Sequence, residues 1–277
     1  MSLKLITPPI AKPLHLNTVK QHLRVDLNDD DSLMGIYFDE AIGGAYNMTQ
    51  RQLVAARWRY DLDSFPCRID VPLGPLVQVV SINYTDANGV EQTVPATDYE
   101  TDHSDGSWTH IVHAIDKPWP ATKAMKNAVR IVLDAGYVAP LEADSAADTI
   151  KLTGWKQLVV NDVLRLTNSG GELPKPLKQA TDYYVQTVVT PGVYKLAATA
   201  GGAAIDITDN GAGLNFAGQL SLNDGLGEIP GGILSWLLLT VETRYSYRGG
   251  LINTPGSIVT KNPFIDCILD PYKVAVV

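Results

Sequence analysis

Three histidines, His103, His110 and His113, sit in one short stretch interleaved with Asp98, Asp102 and Asp105. Imidazoles beside carboxylates are the ingredients of a metal site or of an acid–base couple. A solvated loop leading into a strand is the more ordinary interpretation, because a strand sends His110 and His113, three apart, to opposite faces. Asn28-Asp29-Asp30-Asp31 imitates the start of a calcium loop but lacks its spaced ligands, central glycine and distant glutamate. It reads better as the acidic cap of a helix. Asp206, Asp209 and Asn210 have the character of turn formers rather than ligands. Cys67 and Cys267 lie far apart with no base nearby in sequence, which makes them inert thiols of a reducing compartment. Tyr183-Tyr184 offers either a sugar-stacking platform or, more commonly, barrel-wall packing. Arg57 and Arg59 share a strand face with Asp61 and read as a solvated charged face. There is no nucleophile elbow, phosphate loop, dinucleotide fingerprint or zinc-protease helix. The residues thus suggest no catalytic group, no cofactor and no metal.

The elements that would carry these residues follow from periodicity. Asn17 can cap a short helix bearing Val19 and Leu23. Leu33, Ile36, Tyr37 and Ala41 recur at helical steps behind the acidic run, whose carboxylates suit a helix N-terminus. Gly43 and Gly44 are tolerable there if another helix or subunit packs closely. From residue 52 the period becomes two: Val54, Ala56, Trp58, Tyr60 and Leu62 alternate with Ala55, Arg57, Arg59 and Asp61. Strands are expected at Ile69–Val71, Leu76–Tyr84, Val90–Val94, around Tyr99, Ile111–His113 and Val129–Leu133. A hairpin turn is expected at Asp86-Ala87-Asn88-Gly89.

Residues 141–225 have a different texture, dense in Gly, Thr, Asp and Ala. Strands are expected at Ile150–Leu152, Val163–Leu166, Tyr183–Val189, Val193–Ala197 and Ile205–Thr208, separated by turns, which suggests a small barrel or sandwich. This stretch reads as an inserted all-β domain between the two parts, 1–140 and 226–277, of a first domain. Pro230 suits a first helical turn, and Ile233, Leu234, Leu237, Leu238 and Val241 form a wide apolar stripe. A Gly-rich loop and a short helix over Pro263–Leu269 follow.

The chain has 277 residues, 45% of them hydrophobic, so it can bury a core. With 22 Lys+Arg against 30 Asp+Glu its formal net charge is -8. An acidic surface is poorly suited to gripping nucleic acid by its phosphates. No apolar run is long enough to span a bilayer, and the amino end lacks the apolar core of a secretory signal. A soluble, unexported chain with no membrane partner is expected.

The order of motifs resembles the head–tail connector (adaptor) proteins of long-tailed bacteriophages, a family also found in prophages and gene transfer agents. The resemblance is carried by Leu5-Ile6-Thr7-Pro8-Pro9, then Leu16–Val25, the acidic cap and long helix, and Arg57–Asp102. Trp119-Pro120, Asn127–Tyr137, the helix from Pro230 and the closing Asn262–Val274 complete it. It covers about residues 3–140 and 227–274; the stretch between is a departure that looks like small β-modules of phage tail and virion proteins. The resemblance implies an α+β fold: a helical connector domain with a small antiparallel β-part, plus the inserted barrel or sandwich. It implies a structural virion protein at the head–tail junction, present in host cytoplasm during assembly. Its partners would be copies of itself in a ring, typically of twelve, the portal protein, and a downstream neck or tail protein. DNA would pass through the ring without specific binding.

A ring that conducts DNA must not hold it, so a net charge of -8 per subunit suits the role where acidic groups face the channel. Arg244, Arg248, Lys261, Tyr272 and Lys273 are the candidate partner-binding residues, the cations pairing with acidic groups on a neighbour or on the portal. The loop from Gly249 to Pro263 is the candidate segment ordered on assembly. Two rival functions remain open at this point: a virion adhesin or carbohydrate-binding protein working through the β-insert, and an enzyme such as a peptidoglycan hydrolase.

Overall fold

The computed structural model describes residues 1–102, 109–220, 227–247, 265 and 267–273. The described elements are three α-helices and fourteen strands. A five-stranded antiparallel sheet has the order β1-β2-β8-β4-β5, with β1 at Ser2–Thr7, β2 at Ala56–Leu62, β4 at Leu76–Thr85, β5 at Glu91–Thr93 and β8 at Val129–Ala135. A three-stranded sheet, β3-β7-β6, uses Arg68–Asp70, His110–His113 and Tyr99–Asp102. Residues of both sheets form one apolar cluster: Tyr60, Leu62, Ile82, Ile131 and Leu133 from the larger sheet, Ile69 and Ile111 from the smaller. The register makes this possible. Trp58 pairs with Leu133, Tyr60 with Ile131 and Leu62 with Val129, so the period-two alternation puts these apolar residues on the same face.

The remaining strands close into a six-stranded barrel ordered β10-β13-β12-β11-β14-β9. Its strands are Ala139–Asp144 (β9), Thr149–Leu152 (β10), Val163–Ser169 (β11), Asp182–Thr190 (β12), Val193–Ala197 (β13) and Leu214–Gln219 (β14). Leu164, Leu166, Val185, Tyr194 and Leu196 fill the interior, and closure removes exposed edges. The alternation on β14 is informative. Ala217 joins the barrel core, whereas its neighbour Phe216 joins a third cluster built mainly by the helices.

That third cluster packs α1 (Leu16–Leu23), α2 (Asp31–Thr49) and α3 (Gly231–Ser246) together. Ile233, Leu237 and Val241 of α3 are fully buried there; each contributes roughly 1.5–3 kcal/mol of apolar burial. Helix α2 meets α3 where Gly44 leaves room: a Cβ at that position would lie 3.1 Å from the Trp236 ring. Close packing against another helix accounts for Gly44; Gly43 faces open space.

The expected fold class is corrected by these findings. Strand makes up 36% of the structure and helix 20%, and the chain is no helical connector domain with a minor β-part. Among the described residues the element order holds three α-helices, while the residues before 139 supply eight strands. The class was drawn from the resemblance, against the two-residue period that dominates residues 52–135. Smaller differences have local causes. Residues 2–7, ahead of the first expected helix, form edge strand β1. The side-chain cap of α1 is His15 rather than Asn17: His15 Nδ1 accepts from the Asn17 N–H at 3.1 Å. Strands β9 and β14 lie at places where no strand was expected, and Ile205–Thr208 contributes only a single bridge, Ala197 to Ala204, at its border. Of the expected helix over Pro263–Leu269, residues 265 and 267 are helical and 268–269 form a turn; 263, 264 and 266 lie outside the described residues.

Candidate functional site

When folded, β6 and β7 pair so that Asp102 lies opposite His110 and Tyr99 opposite His113. His110 is buried on β7, and its Nδ1 donates to Asp70 Oδ1 at 2.8 Å. Asp70 also accepts from Arg68 Nε at 2.8 Å. His113 points the other way, donating from Nδ1 to the Ala114 carbonyl at 3.0 Å and meeting the edge of the Trp119 ring. His103 and Asp105 lie outside the described residues. Among the described residues, no group of His, Cys, Asp or Glu is placed to hold a metal ion. Tyr183 is buried in the barrel with its hydroxyl accepting from the Lys178 N–H at 2.8 Å, while Tyr184 faces outward, so the pair presents no flat double platform. Cys67 and Cys267 are both exposed. Among the described residues no helix is long and apolar enough to cross a membrane.

The acidic turn formers behave as their types suggest. Asp209 accepts from the N–H groups of Lys175 and Gly211, and these bonds, the Lys175 one first, hold its carboxyl below the ordinary 3.8. The charged face of the large sheet is less solvated than expected. Asp134 is 2% exposed and takes a two-pronged contact from Arg57, Nε at 2.7 Å and Nη2 at 2.9 Å, plus Gln78 Nε2 at 2.7 Å. Asp61, equally buried, accepts from Arg59 Nε at 3.2 Å and Nη2 at 3.1 Å. The cross-strand register places Arg57 opposite Asp134, and the long guanidinium side chains cover the carboxylates beneath them.

The carboxyl-terminal candidates gather at the helical layer. Arg244 on α3 pairs with Glu40 on α2, and Lys273 pairs with Asp270 three residues earlier. That contact with Lys273 is the main reason the Asp270 carboxyl lies below its ordinary range. Tyr272 lies over α3, where a Cβ on Gly232 would come within 2.8 Å of its ring. Its carbonyl accepts from Arg51 Nε at 3.1 Å. Arg248 and Lys261, and the loop from Gly249 to Pro263, lie outside the described residues.

Sequence spacing did not reveal a groove of about 350 Å³ along α2. It is lined by Pro9 to Pro13, by Asp39, Ile42 and Tyr46 of α2, and by Arg51 to Val54. Lys12 and Asp39 form an ion pair of 2.6 Å on its rim. Pro8, Pro9 and Pro13 hold the amino-terminal segment away from helical geometry, and proline-punctuated sequence ahead of a helix was the one available signal for a cleft.

The architecture is thus a two-sheet β-sandwich, a closed barrel and a three-helix layer. No family model matches the chain, and no curated protein matches it. Among solved structures it is similar to a chain of the virion of a native gene transfer agent particle. The two are 15% identical with a TM-score of 0.53, over 100% of this chain and 97% of the other. Chains from the neck of the native particle computed with C12 symmetry, and from the neck of the empty particle computed with C6 symmetry, are also 15% identical. Both have a TM-score of 0.52 over the same shares of the two chains. The likeness is one of fold, and it runs the length of both chains.

Proposed function

We propose that this protein is a structural subunit of the neck of a phage-like particle, one of a ring of copies joining the portal vertex to the tail. The observation that carries the proposal is the end-to-end fold likeness to chains of gene transfer agent necks, two of them from particles treated with C6 and C12 symmetry. The ring would be dodecameric, with DNA passing through it unheld. A net charge of -8 supports that part of the reading, since repeated acidic surface repels a polyanion. In this reading the barrel is a unit set into the adaptor body formed by residues 1–140 and 226–277. With Tyr183 buried inside the barrel, the adhesin alternative has no Tyr183–Tyr184 stacking platform to act through.

The test is electron microscopy of particles carrying a labelled copy of the chain. The reading requires label at one vertex, between head and tail, in a closed ring. Label on the shell or at a tail fibre would overturn it.

A further inference from the structure

A closed ring needs heterologous contacts, in which two different patches of one chain fit each other. Such a pair is present on the helical layer. One half is the groove beside α2, whose wall includes Arg51. Arg51 is only 7% exposed, and among the described residues its one side-chain hydrogen bond runs from Nε to the Tyr272 carbonyl. Among the described residues no carboxylate pairs with this guanidinium. A cation so buried and uncompensated is costly to keep, and here it lines a cleft walled mostly by Pro9, Ile10, Ala11, Pro13, Ile42, Leu53 and Val54. Lys12 and Asp39 on the rim pair with each other, which leaves Arg51 as the charge an incoming carboxylate would meet.

The other half is the loop between α1 and α2. Leu27 stands 70% exposed at its tip. Asp26 and Asp29 flank it, both exposed, and among the described residues neither has an ion-pair partner. The loop is held up from below: Lys20 bridges Asn28 and Asp31, the latter at 2.8 Å. An apolar knob between two carboxylates is the chemical complement of a mostly apolar cleft whose guanidinium has no carboxylate partner among the described residues. The two are well separated on one molecule. With a rise of about 1.5 Å per residue, Ile42 on the groove lies about 18 Å along α2 from the loop at its start.

We propose that Leu27 of one copy enters the groove of the next, with Asp26 or Asp29 meeting Arg51 there, as one of the repeating joints of the ring. This rests on the ring reading above and names its contact. The occupant is a second copy of this chain.

The test uses the full chain with Cys67 and Cys267 changed to serine, as two variants: one with Leu27→Cys, the other with Ile10→Cys on the groove. Mixed at high concentration and oxidised, they should give a disulfide-linked dimer at least about tenfold more abundant than either variant alone. A further Leu27→Asp change in the otherwise unaltered chain should raise the concentration needed for self-association about tenfold or more, from loss of one buried leucine. Its far-ultraviolet spectrum should be unchanged, since the site is exposed. A mixture that cross-links no better than its components overturns the joint. So does a groove cysteine captured by a different protein in assembled particles. If Leu27→Asp copies still form rings at the vertex, the joint fails while the ring reading stands. If the labelled chain is absent from the vertex, the ring reading itself fails.

Discussion

The joint between the barrel and the helical layer can be tested by one methyl group. Gly170 follows β11 with a φ of 77° and lies directly under His15. A Cβ built there would be 2.4 Å from both Cβ and Cγ of His15, far inside contact distance. His15 cannot simply swing away. Its N–H donates to Ser169 Oγ at 2.9 Å, and its Nδ1 caps α1. Ser169 Oγ also lies 2.9 Å from the Thr18 hydroxyl. In Gly170→Ala the positive φ alone costs about 1–2 kcal/mol. Displacing His15 removes a helix cap and a hydrogen bond, each worth about 1 kcal/mol. The total is about 3–4 kcal/mol. Gly201→Ala is the matched control: its φ is 69°, but nothing lies within 4 Å of the added methyl. That change should cost only the backbone share. Urea unfolding measures both, and amide exchange across Leu16–Leu23 localises the effect, with protection falling in Gly170→Ala alone. If the two variants lose equal stability, or α1 keeps its protection, the joint does not depend on His15 and the reasoning is refuted.

Two further outcomes rest on buried or bonded carboxylates elsewhere in the protein. Asp134→Ala strands Arg57 and Gln78 and opens a hole on the sheet; with Arg57 partly in solvent, the expected loss is about 1–3 kcal/mol in urea unfolding, and a change below about 0.5 kcal/mol would mean the contact is idle. The Asp86 carboxyl, held below its ordinary 3.8 first by the Val90 N–H and then by Gln92, Asn88 and Gly89, should titrate low by carbon-detected NMR. Because the folded value is depressed, its contribution to stability is present above the unfolded value and disappears as pH falls through the folded one. A titration midpoint at or above 3.8 would contradict the turn geometry.

The parts of the molecule legible in its sequence are those where one local rule decides. Helix α2 was legible as a helix, although its buried face is Met34, Phe38, Ala41 and Ala45 and of the expected stripe only Ala41 is buried; the Asp86–Gly89 turn has the asparagine–glycine pair that demands it. Barrel strands β11, β12 and β13 alternate cleanly. Strands β9 and β14 were not legible. Ala139-Pro140-Leu141-Glu142 and Leu214-Asn215-Phe216-Ala217 have weak strand propensity, and only barrel closure makes them strands. The balance of sheet and helix was misjudged because it was taken from a family resemblance rather than from the residues. The groove was hidden for a different reason: Pro9, Ile42, Arg51 and Val54 come together only by tertiary packing. The burial of Asp134 was equally out of reach, since its cover comes from β2, 77 residues away in sequence.

All three cores converge on a few consecutive residues, and this bears on how a ring subunit would carry load. Residues 136–138 join the end of β8 in the sandwich to the start of β9 in the barrel. Gly136 N–H donates to the Pro75 carbonyl at 3.0 Å, Tyr137 N–H to Leu53 at 3.1 Å, and Ala55 N–H to Val138 at 2.8 Å. The chain passes so close to residues 54 and 55 that a Cβ on Gly136, at φ 152°, would lie 2.6 Å from the Ala55 nitrogen. Tyr137 and Val138 belong to the helical cluster, while Ala135 and Ala139 on either side belong to the sandwich and barrel clusters. A force on the barrel therefore reaches the sandwich through backbone hydrogen bonds and buried side chains, not through a flexible linker. That arrangement suits a subunit whose neighbours pull on different parts of it. It also means that substitutions at Gly136 should disturb all three cores together, whereas those at Gly170 loosen only the contact of the barrel with α1.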